Sequence, residues 1–176
     1  IDPVAVAQNI TVQLDANGQV SITTADVDNG SSDNCTFTLS LDKTSFDCTN
    51  LGANTVTLTA TDGSNNTHSV TATVTVEDNI DPVAVAQNIT VQLDANGQAS
   101  ITTADVDNGS SDNCTFTLSL DKTSFDCTNL GSNTVTLTAT DGSNNTHSVT
   151  ATVTVEDNID PVAVAQNITV QLDANG

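Results

Sequence analysis

The chain repeats itself with a period of 79 residues, and that period constrains every later step. Residues 1–79 recur as 80–158, and residues 159–176 copy the first eighteen positions. The two full copies differ only where Val20 becomes Ala99 and Ala53 becomes Ser132. Self-similarity of this kind means one body built repeatedly. The expected domains are therefore 1–79, 80–158, and 159–176 as the first strand or strands of a third repeat, the whole reading as a window on a longer array. A unit this small buries a modest fraction of its surface, so a staple or a metal is expected to help hold it.

The repeat turns over at Thr75-Val76-Glu77-Asp78-Asn79-Ile80-Asp81-Pro82, which returns unchanged at 154–161. Pro82 cannot donate to a sheet ladder and holds the residue before it extended. Three carboxylates and a proline between two alternating runs mark a junction between domains.

Within one unit the periodicity is two throughout. Val4, Val6, Ile10, Val12 and Leu14 occupy even positions, as one strand or as two with a kink near Gln8. Asp15-Ala16-Asn17-Gly18 supplies a hairpin turn, and Val20 and Ile22 continue the inward face. After a loop over 25–34 come Cys35, Phe37, Leu39 and Leu41. A turn at Asp42-Lys43 leads to Phe46 and Cys48. The last two strands are the clearest: Val56, Leu58 and Ala60, then Val70, Ala72, Val74 and Val76, alternate with Thr and Ser. No segment has helical periodicity, so the class is all-β, a two-sheet sandwich. Six runs are evident. A head-to-tail array is simplest with an odd number, so a short seventh strand is expected within 49–54 or from a split of the first run.

If residues 35–48 form a hairpin pivoting between Leu41 and Asp42, Phe37 faces Phe46 and Cys35 faces Cys48. That register predicts disulfides Cys35–Cys48 and Cys114–Cys127 within each unit.

Net charge is −20, from 22 acids against Lys43 and Lys122. Phosphate binding needs a basic surface, so nucleic acid is excluded as a partner. No stretch approaches the roughly 20 apolar residues of a membrane span. Two accounts of the acidity stay open: a solvated, self-repelling surface, or sites for a divalent cation. Asn-x-Ser/Thr triplets at Asn9, Asn29, Asn34 and Asn65 are candidate glycosylation sites. His68 and His147 read as surface histidines, since no base–nucleophile pair can be assembled around them. Lys43 reads as an exposed charge rather than an isopeptide donor. Nothing here indicates an enzyme.

Pro3 to Leu14 (PVAVAQNITVQL), Asp33-Asn34-Cys35, KTSFDC over 43–48, Leu51-Gly52 with the TVTLTATD that follows, and the closing TATVTVEDN together resemble the HYR-type immunoglobulin-like repeats of large bacterial surface proteins. The resemblance covers the whole unit. It implies tandem immunoglobulin-like β-sandwich domains arranged head to tail, in an extracellular spacer or adhesive stalk. Relatives often carry a second cysteine pair joining the first strand to the last. Those places here resemble Ala5 or Ala7 and Ser69, so that staple is missing.

In an immunoglobulin-like topology the loop after the second strand and the loop before the last share the pole where the previous domain arrives. Asp105, Asp107, Asp112 and Asp141 are then expected to gather around Glu77, Asp78 and Asp81, all but Asp112 as ligands of a Ca2+ site, with a cap on its own loop as the alternative role for Asp112. The arrangement is similar in principle to cadherin junctions, whose acidic linkers share ions with the next domain. Three functional readings follow. The first is a cell-surface stalk, adhesin or filament, a rod of beads stiffened by calcium, with neighbouring repeats as partners. The second is an adhesive module gripping surface glycans or proteins with loops at one pole. The third is a fibre of identical chains in which the first strand of one repeat completes the sheet of another.

Overall fold

The computed structural model describes residues 1–176. It is a mostly β molecule with two sheet-based bodies of the same topology. In the first, β1 (Ile10–Gln13), β2 (Gln19–Ser21), the one-turn helix α1 (Thr24–Val27), β3 (Phe37–Leu41), β4 (Ser45–Asp47), β5 (Gly52–Asp62) and β6 (Thr67–Glu77) follow in order. The second repeats them as β7 (Ile89–Gln92), β8 (Gln98–Ser100), α2 (Thr103–Val106), β9 (Phe116–Leu120), β10 (Ser124–Asp126), β11 (Gly131–Asp141) and β12 (Thr146–Glu156). One sheet has the order β1-β6-β5-β3 and faces a two-stranded sheet, β2-β4.

The long hairpin β5–β6 is the backbone of each body. Its Thr/Ser face is open to solvent, while Val56, Leu58, Ala60, Ala72, Val74 and Val76 are buried on the other. Leu14, Ile22, Val27 and Phe46 close over that face from the opposite side. β1 runs parallel to β6, placing Ile10 opposite Val74 and Val12 opposite Val76. Burying each such aliphatic side chain stabilises the body by about 1.5–3 kcal/mol.

The first apolar run is broken, as the kink near Gln8 anticipates. Val4 and Ala7 bridge to Ser32 and Asp28, and the chain then crosses to β6. Parity changes at the break: Ala5 is buried and Val4 exposed, whereas Leu14 is buried again. Asn9 sits at the crossing, its Oδ1 accepting from the Thr73 N–H at 2.8 Å. His68 Nδ1 accepts from the Ala5 N–H at 2.9 Å. It thus ties the first segment to the last strand.

The expected hairpin of residues 35–48 does not form. β3 pairs with β5, setting Phe37 opposite Asp62, and β4 pairs with β2, setting Phe46 opposite Val20. The two strands lie in different sheets. Residues 42–44 bridge the sheets: Asp42 Oδ1 accepts from the Thr57 N–H at 2.8 Å, and the Thr44 carbonyl accepts from the Ile22 N–H at 2.8 Å. Lys43 folds over the Phe46 ring, 4.6 Å from its centroid.

Each first strand stays in its own body, with β7 on β12, so Val83–Leu93 does not complete the sheet of residues 19–76. Residues 159–176 form no strand and are exposed along their length. β6 and β12 already carry their parallel partners, so neither offers this third copy the place that β1 and β7 take.

Candidate metal centre and disulfide at the junction

The sequence-expected cysteine pairs are replaced by one bond between the bodies. Cys48 is joined to Cys114, with Cα atoms 5.7 Å apart and a sequence separation of 66. Cys35 and Cys127 are free and exposed. The physical reason is the sheet assignment above. With β3 and β4 in opposite sheets, Cys35 precedes one strand while Cys48 follows the other, and they no longer share a hairpin. Closing a loop of 66 residues is worth about 4 kcal/mol in the chain-entropy account.

The contact around this bond is close. Asn113 donates from Nδ2 to the Asp15 carbonyl at 3.2 Å and to Asp78 Oδ1 at 3.2 Å. Gly18 takes φ +69°, and a Cβ there would lie 2.5 Å from Cys48 Sγ and 2.6 Å from the Asn113 carbonyl oxygen. Glycine is therefore needed twice over, for the left-handed turn and for the approach of the second body.

Beside the disulfide, ligand oxygens of Asp78, Asp112 and Asp141 all lie within 4.8 Å of one another. Each is held by its own turn. Asp78 leaves β6 and accepts the Ile80 N–H on Oδ1 at 3.2 Å. Asp112 accepts the Cys114 N–H on Oδ2 at 3.2 Å. Asp141 ends β11 and accepts the N–H groups of Ser143 and Asn145 at 2.9 and 2.8 Å. Asn145 then donates from Nδ2 to Asp141 Oδ2 at 2.8 Å and to the Asp78 carbonyl at 2.9 Å. Two elements of the second body and the exit of the first are thereby brought to one point.

These turns leave a remainder. Asp78 and Asp141 are 3% and 6% exposed, and Asp78 Oδ2, Asp112 Oδ1 and Asn113 Oδ1 are buried without any hydrogen-bond donor. Buried charge without a partner is costly. Burial pushes the Asp112 carboxyl above the usual carboxylate range, and the charges of Asp78 and Asp141 add to it. Asp105 and Asp107 go the other way. The Thr102 hydroxyl and N–H hold Asp105 low, and Ser110 does the same for Asp107.

The sequence-expected ligands thus divide. Asp78 and Asp141 meet. Asp105 closes a capping box with Thr102 at the start of α2, and Asp107 accepts from the Ser110 N–H and hydroxyl. Glu77 is exposed and takes Gln13 Nε2 at 2.7 Å, and Asp81 is exposed. Asp112, expected at this pole with a loop cap as its alternative role, does both: Oδ2 caps the loop, Oδ1 is buried without a donor, and the carboxylate lies with Asp78 and Asp141. Asn113 and Asn145 were not foreseen. The signal for Asn113 is the Asp-Asn pairing of the Asp112-Asn113-Cys114 triplet, whose amide is neutral and escapes a search for charge. The same triplet contains one candidate glycosylation site, the copy of Asn34, which at Asn113 is occupied by the junction. Asn65, another candidate, sits in a left-handed turn at φ 66°.

The donors on offer are all oxygen, from three carboxylates and an amide. Such a set suits a hard cation taking six to eight oxygens, with no imidazole or thiolate to favour a transition metal.

No family model matches the chain, and no curated protein matches it. Among solved structures it is similar to protocadherin gamma B7 extracellular cadherin domains 1-4, with 16% identity over 89% of this chain and 51% of that one, TM-score 0.35. It is also similar to human protocadherin-24 EC1-2, with 12% identity over 89% and 99%, TM-score 0.44, and to the titin I-band fragment I67-I69, with 13% identity over 89% and 66%, TM-score 0.39. The chain spans about half the length of the protocadherin gamma B7 fragment.

Proposed function

We propose that this chain is part of an extracellular spacer, a rod of immunoglobulin-like bodies 1–79 and 80–158 set head to tail, whose junctions are locked by a disulfide and by calcium. The observation that carries the reading is the trio of buried, unpartnered oxygens on Asp78, Asp112 and Asn113, meeting Asp141 at the boundary. Calcium supplies two positive charges and tolerance for irregular oxygen coordination. Asp78 would bring the first body's charge to it, Asp112 and Asp141 the second's, and Asn113 an amide oxygen.

The chain's own residues do the rest. Pro82 is buried in the second body, so only Asp78 to Asp81 separate one packed core from the next. Asn145 holds the Asp78 carbonyl, and Asn113 holds the turn at Asp15. A junction so short, bonded at Cys48–Cys114, fixes one body's attitude to the next. Near-identical copies suit this role, because spacing needs repetition whereas recognition needs diversified loops. The disulfide suits an oxidising compartment, and the resemblance to HYR-type repeats points the same way.

The test is calcium titration of the full chain by calorimetry, beside Asp78→Asn. Stoichiometric binding to the wild type, abolished in the variant, is expected, with a raised melting temperature through linkage. Equal heats for both proteins, or no change in melting and scattering-derived length on adding a chelator, would refute the clamp.

A further inference from the structure

Three consecutive residues of the second body, Asp112-Asn113-Cys114, join the metal centre to the bond between the bodies. Asp112 stands in the carboxylate cluster with Oδ1 buried and unpaired, and its Oδ2 accepts the Cys114 N–H at 3.2 Å. Asn113 bridges the bodies, donating from Nδ2 to the Asp15 carbonyl and to Asp78 Oδ1 at 3.2 Å each. Cys114 carries the sulfur bonded to Cys48. The first body therefore grips this loop at Asp15, Asp78 and Cys48. Gly18 leaves room for it, since a Cβ there would meet both Cys48 Sγ and the Asn113 carbonyl oxygen. Of these holds only the disulfide is covalent.

We infer that the Cys48–Cys114 bond is a redox control on calcium affinity: the oxidised junction binds the ion tightly and the reduced junction weakly. The coupling rests on the ion binding where the proposed clamp puts it. Asp78 comes from the exit of β6, whereas Asp112, Asn113 and Asp141 belong to the second body. With the bond intact, the loop is already fixed to the first body, so the ordering that ligation requires precedes the ion. With the bond reduced, the two Asn113 hydrogen bonds are the loop's remaining polar hold on residues 1–79. Calcium must then order the loop against the first body itself, and that cost appears as lost affinity. Both sulfurs belong to half-buried residues, within reach of a small thiol.

Linkage makes the effect reciprocal. Whatever factor separates the two calcium affinities also separates the equilibrium constant for reduction in saturating calcium from that in chelator. The reductant is a dithiol such as dithiothreitol. One of its thiolates attacks a protein sulfur and releases the other cysteine as a thiolate, which takes up a proton. Its second thiolate attacks the mixed disulfide, closing a cyclic disulfide and freeing the second cysteine. One protein disulfide and one dithiol become two protein thiols and one cyclic disulfide, with two electrons passing to the protein.

The test uses the full chain with Cys35→Ser and Cys127→Ser, so that a single thiol couple is read. Calorimetric titration with CaCl2 should give a Kd about 5- to 150-fold weaker after reduction, the usual span of a coupling between two sites. Redox titration against dithiothreitol, read by thiol alkylation and mass, should give a more negative midpoint potential in saturating calcium than in chelator. The expected shift is about 20–65 mV, at about 30 mV per tenfold for two electrons. Asp78→Asn should keep the disulfide and lose that calcium-dependent shift. Equal Kd values in the two redox states overturn the coupling and leave the clamp standing, whereas no binding in either state overturns both. A shift that persists in Asp78→Asn also overturns the coupling, because calcium would then be screening the acidic bodies rather than filling the site.

Discussion

Replacing Asp112 by Asn should change the sign of its effect with calcium. In the ion-free protein, Asp112 contributes one of three carboxylates whose oxygens lie within 4.8 Å of one another. At an effective dielectric of about 20, each such pair costs about 3.5 kcal/mol, so removing one charge relieves two pairs, or about 7 kcal/mol. Protonation caps that relief. A carboxyl with an ordinary value of 3.8 can take up a proton at pH 7 for about 4 kcal/mol, at about 1.4 kcal/mol per pH unit. The amide keeps an oxygen for the Cys114 N–H and offers a donor to the orphaned oxygens opposite. The ion-free variant should therefore be more stable than the wild type by about 1–4 kcal/mol, each kcal/mol raising Tm by about 4–8 °C in a body of this size. In calcium at a hundred times its Kd, the wild type gains about 2.7 kcal/mol and the variant gains little, so the order of melting narrows or reverses. Calorimetry of both proteins in chelator and in calcium reads this directly. Asp33→Asn is the internal control, because Asp33 is not in the carboxylate cluster that holds Asp112. A D112N protein less stable than wild type in chelator, or indistinguishable from D33N in both buffers, would refute the reasoning.

Acid should act on the junction and the bodies in opposite directions. Asp112, raised by burial and its neighbours, binds protons more tightly folded than unfolded, so its contribution is present at low pH and is lost as pH rises from about 4 through its raised value. Asp15 and Asp94, lowered chiefly by the Gln19 and Gln98 N–H groups, contribute stability that is lost as pH falls below the same point. Hydrogen exchange in chelator between pH 3 and 7 should then show the Asp112–Cys114 loop opening as the turns at 15–19 and 94–98 tighten. Gly18→Ala should cost more than Gly97→Ala, because only the first Cβ meets the Asn113 carbonyl as well as a sulfur. A difference of about 1–3 kcal/mol is expected in urea melts, and equal losses would mean that the contact between bodies contributes nothing. Ala99→Val should stabilise the second body by about 1 kcal/mol. It restores two methyl groups beside Phe125, where an open cleft of about 590 Å³ replaces one of about 180 Å³ beside Phe46, and an unchanged Tm would place that residue outside the packed core.

Alternation was enough to find β5 and β6, because each has one face on the core and one in water over eleven residues. It also found the break in the first run, though not the change of parity across it, since Ala5 is small enough to be buried where Val4 is not. It failed at 35–48. Parity says that Phe37 and Phe46 both point inward, and both hairpin and sheet crossing satisfy that condition. What decides is long-range pairing, Phe46 with Val20 and Phe37 with Asp62, and no local signal records it. The cysteine error follows from that one. At the junction, pooling carboxylates near the pole includes Asp78 and Asp141, which the fold brings together. It also includes Asp105 and Asp107, which stay apart from them because their oxygens are taken by donors three residues away. Thr102-x-x-Asp105 has the spacing of a capping box, and that pattern was readable from the start.

The bond between Cys48 and Cys114 alters how the chain carries load. Tension applied between the first body's start and the second body's end passes from Cys48 through sulfur to Cys114 and bypasses the 66-residue span between them. The hidden span includes β5 and β6, the central hairpin of the first body, together with β7, β8 and the linker itself. At about 3.4 Å per extended residue, some 220 Å of slack is withdrawn from the pulled contour. The oxidised pair should behave as a nearly inextensible tether and the reduced pair as a shock absorber, so the redox state of the surroundings sets the compliance of the two bodies.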